Sequence, residues 1–191
     1  MAKIYIMQTG STTWDEESRV ASPSGCPLSR EGGDKVAAAV TQLPAKEIAA
    51  VYSGAGAAER QTAALVARQL KVRTKMHKDL GEFDFGLWQG LTLEEIKRRN
   101  PKVFRQWMER PAGVRPPGGE MLEEAQERLR GAINEILRRF KKRPLLFVLS
   151  PVATGLVRCM LQHKLPEELW QHVDSGFAWC TYEVADGCGL S

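Results

Sequence analysis

The sequence predicts an α/β fold organised around a mainly parallel sheet. Short apolar runs suited to strands alternate along the chain with segments of helical period. The stretches between those runs are long enough for right-handed β-α-β crossovers. The run Leu145–Leu149 is apolar without interruption, as a strand covered by helices on both faces requires. At 191 residues, 43% of them hydrophobic, one core can form without disulfides or metals. No internal repeat or low-complexity linker divides the chain, so residues 1–191 read as a single domain.

The elements follow in order. Residues 4–7, Ile-Tyr-Ile-Met, suit a short buried strand, and a polar loop rich in Ser, Thr and Gly runs from residue 8 to about 27. Ser29 is placed to cap a helix reaching about residue 43, with Val36, Val40 and Leu43 on one face. Residues 48–53 form a second strand. A Gly/Ala loop leads from it into a helix carrying Thr62, Leu65, Val66, Gln69 and Leu70, and residues 71–76 suit a third strand. The stretch 82–117 is loop-rich, with short helices over Leu93–Arg99 and 102–109. After Pro116-Pro117-Gly118-Gly119 comes the longest helix, residues 120–141. Leu122, Ala125, Leu129, Ile133, Ile136 and Phe140 recur along it at three- and four-residue steps. Pro144 ends it ahead of the strand Leu145–Leu149, a helix over 154–163 follows, and residues 177–184 make the last strand. In such sheets ligands bind beyond the carboxyl ends of the strands, where the loops beginning at Gln8, Gly54 and Ser150 converge.

Composition excludes several classes of function. The net charge is +4, and the basic clusters, residues 97–99 and 138–143, sit where helical patterns end and cations complement the helix dipole. No aromatic residues interleave with them as stacking platforms, so nucleic-acid binding is not expected. No apolar stretch approaches membrane-spanning length and the amino terminus lacks a signal-peptide pattern. Cys26, Cys159, Cys180 and Cys188 show no metal-ligand spacing. The expectation is a cytoplasmic protein with free thiols, no bound metal and no cofactor. A Cys180–Cys188 pair is the alternative in an oxidising compartment.

Several blocks, in order, resemble the histidine phosphatase (phosphoglycerate-mutase-like) family, on its α-ribazole-phosphatase-like branch. Residues 8–15, Gln-Thr-Gly-Ser-Thr-Thr-Trp-Asp, are similar to that family's opening R-H-G-E-T-x-W-N. Arg19 and Pro27-Leu28-Ser29 through Gly32 resemble its R…P-L-T-x-x-G. Residues 51–63 resemble V-Y-S-S-x-x-x-R-A-x-Q-T-A, residues 80–92 resemble L-x-E-x-x-F-G-x-W-E-G-L-T, and residues 116–120 match P-P-G-G-E. The resemblance implies a three-layer α/β/α sandwich of phosphoglycerate-mutase-like architecture. It also implies a mechanism in which a histidine after the first strand attacks phosphorus. Two arginines and a second histidine hold the phosphate, and a glutamate acts as general acid.

Carried over position by position, that machinery is rewritten. The nucleophile falls on Thr9, the arginine before it on Gln8, and the second arginine on Ala58, because Arg60 matches a variable position. The second histidine falls on Pro151 if Ser150 anchors the match, or on Ala153 if Arg158 does. The phosphate-contacting asparagine becomes Asp15, and only the general acid remains, as Glu82. The three histidines, His77, His163 and His172, all lie outside these blocks. A unit charge pair at contact is worth roughly 4 kcal/mol at an effective dielectric near 20. Exchanging two cations for one anion therefore turns the pocket from a dianion toward a neutral or cationic group.

The expected function is a catalytically inactive, binding or regulatory member of that family, using the rewritten cleft for a small molecule or its surface for a protein partner. The alternative is a hydrolase of another mechanism using Glu82 with Asp15 or Thr9. The candidate ligand-binding set is Gln8, Thr9, Asp15, Arg19, Arg60 and Glu82. Glu82 reads first as a structural carboxylate bonded to loop amides or Arg19, and second as a surviving general acid. Arg60 is expected to point away from the pocket. Trp14, Trp88 and Trp107 read as packing beneath loops rather than as cleft walls, and Cys26 as an inert thiol.

Overall fold

The computed structural model describes residues 2–22, 24–140, 143–173, 179–184 and 190. Five strands form one sheet in the order β3-β2-β4-β1-β5. They are β1 (Ala2–Gln8), β2 (Ala50–Ser53), β3 (Arg73–Met76), β4 (Leu145–Leu149) and β5 (Trp179–Val184). Strands β1, β4, β2 and β3 run parallel, and β5 closes the edge antiparallel to β1. Period-two alternation sends the side chains of each central strand to opposite faces. Ile4, Ile6, Leu145, Phe147 and Leu149 enter one core cluster, while Tyr5, Met7, Leu146 and Val148 enter another.

Helices cover both faces, giving the three layers. On one face lie α2 (Arg30–Val40) and α3 (Ala57–Leu70), packing Val36, Val40, Ala63, Val66 and Leu70 beneath the sheet. On the other lie α6 (Leu122–Arg139) and α7 (Pro151–Leu161), joined by α4 (Leu93–Arg99), α5 (Pro101–Glu109) and α8 (Leu169–His172). A four-residue helix, α1 (Thr13–Glu16), follows β1.

The differences from the sequence reading have local causes. Residues 8–27 are not all loop: Thr12 and Asp15 form a reciprocal capping box that winds α1. Helix α2 stops at Val40 rather than near Leu43, since Pro44 disfavours helical backbone at the residue before it. On α3, Leu65 and Gln69 face solvent, and the buried face runs through Thr62, Ala63, Val66, Ala67 and Leu70. Helix α6 starts at Leu122, two residues late, where the Glu124 carboxylate accepts from the N–H of the extended residue Met121 and caps the first turn. Helix α7 begins at Pro151, not Thr154, because proline's missing N–H and fixed φ suit a first turn. Lys141, Phe177 and Cys188, which the readings of the longest helix, the last strand and the thiols involve, lie outside the described residues. Cys26, Cys159 and Cys180 are free thiols.

Residues 84–88 turn tightly against the Pro-Pro-Gly-Gly segment. Leu87 N–H donates to Pro117 O at 2.8 Å and Glu120 N–H to Asp84 O at 3.0 Å. Gly86 makes the turn at φ +52°, and a Cβ there would collide with Pro117 O.

Candidate functional site

The parallel pairing of β1 with β4 continues one step past the strands: Thr9 N–H donates to Leu149 O at 2.9 Å. Thr9 is thereby set beside the start of α7, buried at 6% exposure. Gly10 N–H donates to Thr62 Oγ1 on α3 at 3.2 Å, and Ser150 Oγ donates to Glu59 Oε1 at 2.8 Å. The loops after β1, β2 and β4 thus meet at one end of the sheet, as the topology implied.

Glu82 lies buried among them. Its carboxylate accepts from its own loop, Phe83 N–H at 2.8 Å, and from the first turn of α7, Val152 N–H at 3.2 Å and Ala153 N–H at 3.0 Å. Glu82 therefore caps α7 from a distant part of the chain, where unpaired helix N–H groups favour an anion. Burial works against the charge more strongly than these three donors support it, and nearby Glu59 adds repulsion. The carboxyl is pushed up to about 7. Arg128 of α6 clamps the loop that carries it, donating to Asp79 O, Gly81 O and Glu82 O and pairing with Glu120 at 2.7 Å.

Glu59 is a second buried carboxylate that sequence reasoning did not single out. It caps α3 by accepting from Gly56 N–H at 2.6 Å, and burial raises it above the usual carboxylate range. The three-residue spacing of Gly56 and Glu59 at a helix start was the available signal.

Two clefts open onto this end of the sheet and share Asp15, Ala21 and Pro151. The larger, about 210 Å³, reaches Glu82 and is walled by Phe85, Trp88, Ile96, Trp107 and Trp170 among others. The smaller, about 30 Å³, holds Thr9, Thr12, Trp14, Cys26, Ala58 and Ser150. Asp15 and Glu82 therefore border one space, and Thr9 borders the adjoining one. Asp15 also accepts from Thr12 N–H and Oγ1 through Oδ2, at 2.6 and 2.7 Å. Gln8 is buried at the end of β1.

The two arginines are placed elsewhere. Arg19 donates to Glu17 and to Gly90 O, not to Glu82, and Arg60 is exposed on α3; neither lines either cleft. Both leave because the sites offered to them, a surface carboxylate and solvent, cost less desolvation than a buried pocket. Trp88 and Trp107 do both things at once: they pack in the core and form cleft wall, while Trp14 lines the smaller cleft. Cys26 Sγ sits 3.2 Å from Thr13 Oγ1. His77 lies near Asp79 and Glu135, His163 follows α7, His172 ends α8, and none of them lines either of these two clefts. Among the described residues no three His, Cys, Asp or Glu side chains group to hold a metal ion. No helix among them is long and apolar enough to cross a membrane.

A three-layer sandwich with its clefts at the carboxyl ends of parallel strands defines an open-sheet α/β protein. Residues 4–188 match the model of the histidine phosphatase superfamily (branch 1), and the chain belongs to that superfamily. A relative named Bifunctional protein Rv2228c, from Mycobacterium tuberculosis, is 31% identical over 147 residues, covering 76% of this chain and 40% of its own. The chain thus spans about two fifths of that relative's length. Phosphoserine phosphatase 1 of Hydrogenobacter thermophilus is 24% identical, with 84% and 76% covered. Among solved structures, Bacillus stearothermophilus YhfR superposes with a TM-score of 0.91 at 24% identity, covering 98% of this chain and 93% of that one. A mycobacterial glucosyl-3-phosphoglycerate phosphatase solved with VO3 gives 0.85 at 20% identity, covering 95% and 90%.

Proposed function

We propose that this protein is a non-catalytic binding or regulatory member of the superfamily, using the rewritten cleft for a ligand that is not a phosphate. One observation carries the reading: among the described residues, those lining the two clefts include Asp15 and Glu82 but no lysine, arginine or histidine. A phosphate dianion entering there meets carboxylates without a compensating cation. The helix N-terminus that ordinarily attracts such an anion is already served, since Val152 and Ala153 N–H donate to Glu82. Thr9, at the nucleophile position, would need an adjacent base to attack phosphorus.

The relatives' names, phosphatase and mutase, supply the competing reading, and the value near 7 for Glu82 favours a hydrolase that uses it as general acid or base. Turnover of p-nitrophenyl phosphate decides between them. We expect none above a Glu82→Ala control, and no rise in melting temperature with phosphate or vanadate. Turnover that disappears in Glu82→Ala would restore an enzymatic role, and strong stabilisation by vanadate would defeat the charge argument.

A further inference from the structure

Strand β3 ends the sheet on one side: it pairs with β2 alone, and all four of its residues are exposed. Just past it, His77 N–H donates inward to Ser53 O at 2.9 Å. Peptide groups alternate sides along a strand, so those of Thr74 and Met76 point away from the sheet. Neither finds a partner among the described residues. An edge in this state is a template for another strand. Charge decides which strand. Residues 68–78 carry five cations, Arg68, Lys71, Arg73, Lys75 and Lys78, and no carboxylate. All five are exposed, and none enters an ion pair among the described residues. Glu135 of α6 is already engaged, by Arg139 at 2.7 Å and by His77 at 3.7 Å. Lys75 Nζ stands over the Phe140 ring at 4.7 Å and the Tyr52 ring at 5.9 Å, which fixes it on the α6 side of the sheet. Arg73, two residues earlier, shares that side, while Thr74 and Met76 take the other. Met76 is 59% exposed there. One side of the edge thus favours carboxylates and the other an apolar side chain.

We infer that the β3 edge binds an extended segment of a protein partner in which acidic and apolar residues alternate. The segment adds a strand to the sheet through the outward peptide groups of Thr74 and Met76. Its carboxylates meet Arg73 and Lys75, and its apolar side chains lie along Met76. A second copy pairing through its own β3 would bring these cations against like charges, which disfavours it as the occupant. A nucleic acid would satisfy the charges but has no strand to lay along the edge. The surface is separate from the clefts, since none of these residues lines either one.

The probe is the peptide acetyl-Glu-Val-Glu-Val-Glu-Val-Glu-amide bearing a fluorophore, titrated with the whole protein and followed by anisotropy. Binding should be saturable and should weaken with added salt. Arg73→Gln combined with Lys75→Gln should weaken it roughly fivefold or more. Both substitutions are at exposed positions, so an unchanged melting temperature would report an intact fold. Peptides N-methylated at every Val, or at every Glu, keep the charge. One of the two should bind roughly tenfold more weakly than the parent, because the side it turns to β3 can no longer donate. No saturable binding at millimolar concentration, or equal affinity for the parent and both methylated peptides, would overturn the inference. So would an oligothymidylate of the same charge binding as tightly as the peptide, which would make the edge a site for any polyanion. A protein that sediments as a dimer and is dissociated by the peptide would make a second copy the occupant and overturn it equally.

Discussion

At the scale of single residues, Glu82 makes the most exacting demand on the fold. Its carboxyl is raised from 4.5 to about 7 because burial outweighs three backbone donors. The folded protein therefore holds a proton between those values that the unfolded chain has released. Stability from this group is complete below about pH 4.5 and is lost as the pH rises through 7. The interval corresponds to on the order of 3 kcal/mol. Burial displaces Glu59 in the same direction, so it adds to the fall. Glu82→Gln keeps an acceptor oxygen for the α7 amides and removes the titration. Thermal or urea unfolding from pH 5 to 8 should show the wild type losing stability steadily and the Gln variant losing much less. Parallel curves for the two proteins would show that Glu82 titrates in the folded state as it does in the unfolded.

At the scale of elements, the parts that sequence made legible are those governed by local pattern. The strand Leu145–Leu149 and the helix Leu93–Arg99 occupy the residues their patterns indicated. The convergence of the loops after residues 8, 53 and 149 followed from parallel topology alone. What escaped depended on partners remote in sequence. Nothing local marks Glu82 as the cap of α7, or Arg128 as the clamp on its loop. Arg19 had a nearer carboxylate to choose, and Leu65 gave way to alanines on the buried face of α3. The 84–88 turn illustrates the same dependence on a partner. Its conformation at Gly86 suits glycine, and the reason no side chain fits is the Pro117 carbonyl packed against it. Gly86→Ala should cost about 2–3 kcal/mol through positive-φ strain and displacement of that carbonyl. Phe85 and Trp88 flank the residue and wall the larger cleft, so ligand affinity should fall along with the melting temperature. An alanine variant that melts with the wild type would show that the two segments part without cost.

At the scale of the whole molecule, the clefts lie between regions of unequal stability. The floor is the carboxyl end of β1 and β4; β4 is bonded to strands on both sides, and all five of its residues are buried. At one edge of the sheet, β3 is exposed at all four of its residues and pairs with β2 alone. The roof of the larger cleft is the pair of short helices α4 and α5, which contribute Leu93, Ile96, Phe104, Trp107 and Met108 to its lining. Each of these helices buries a single residue of its own, Ile96 in α4 and Trp107 in α5. Local opening follows such differences in buried contact. Amides of β4 and the interior of β1 should exchange only through global unfolding, at about 5–15 kcal/mol for a domain of ordinary stability. Those of β3 should exchange roughly a hundredfold faster or more, with α4 and α5 between them. A ligand held under the roof adds its binding energy to the closed state, so it should slow exchange in Leu93–Arg99 and Pro101–Glu109 well before it slows β4. Hydrogen exchange read by mass spectrometry tests this order. Equal protection of β3 and β4 would contradict the sheet order as the source of stability.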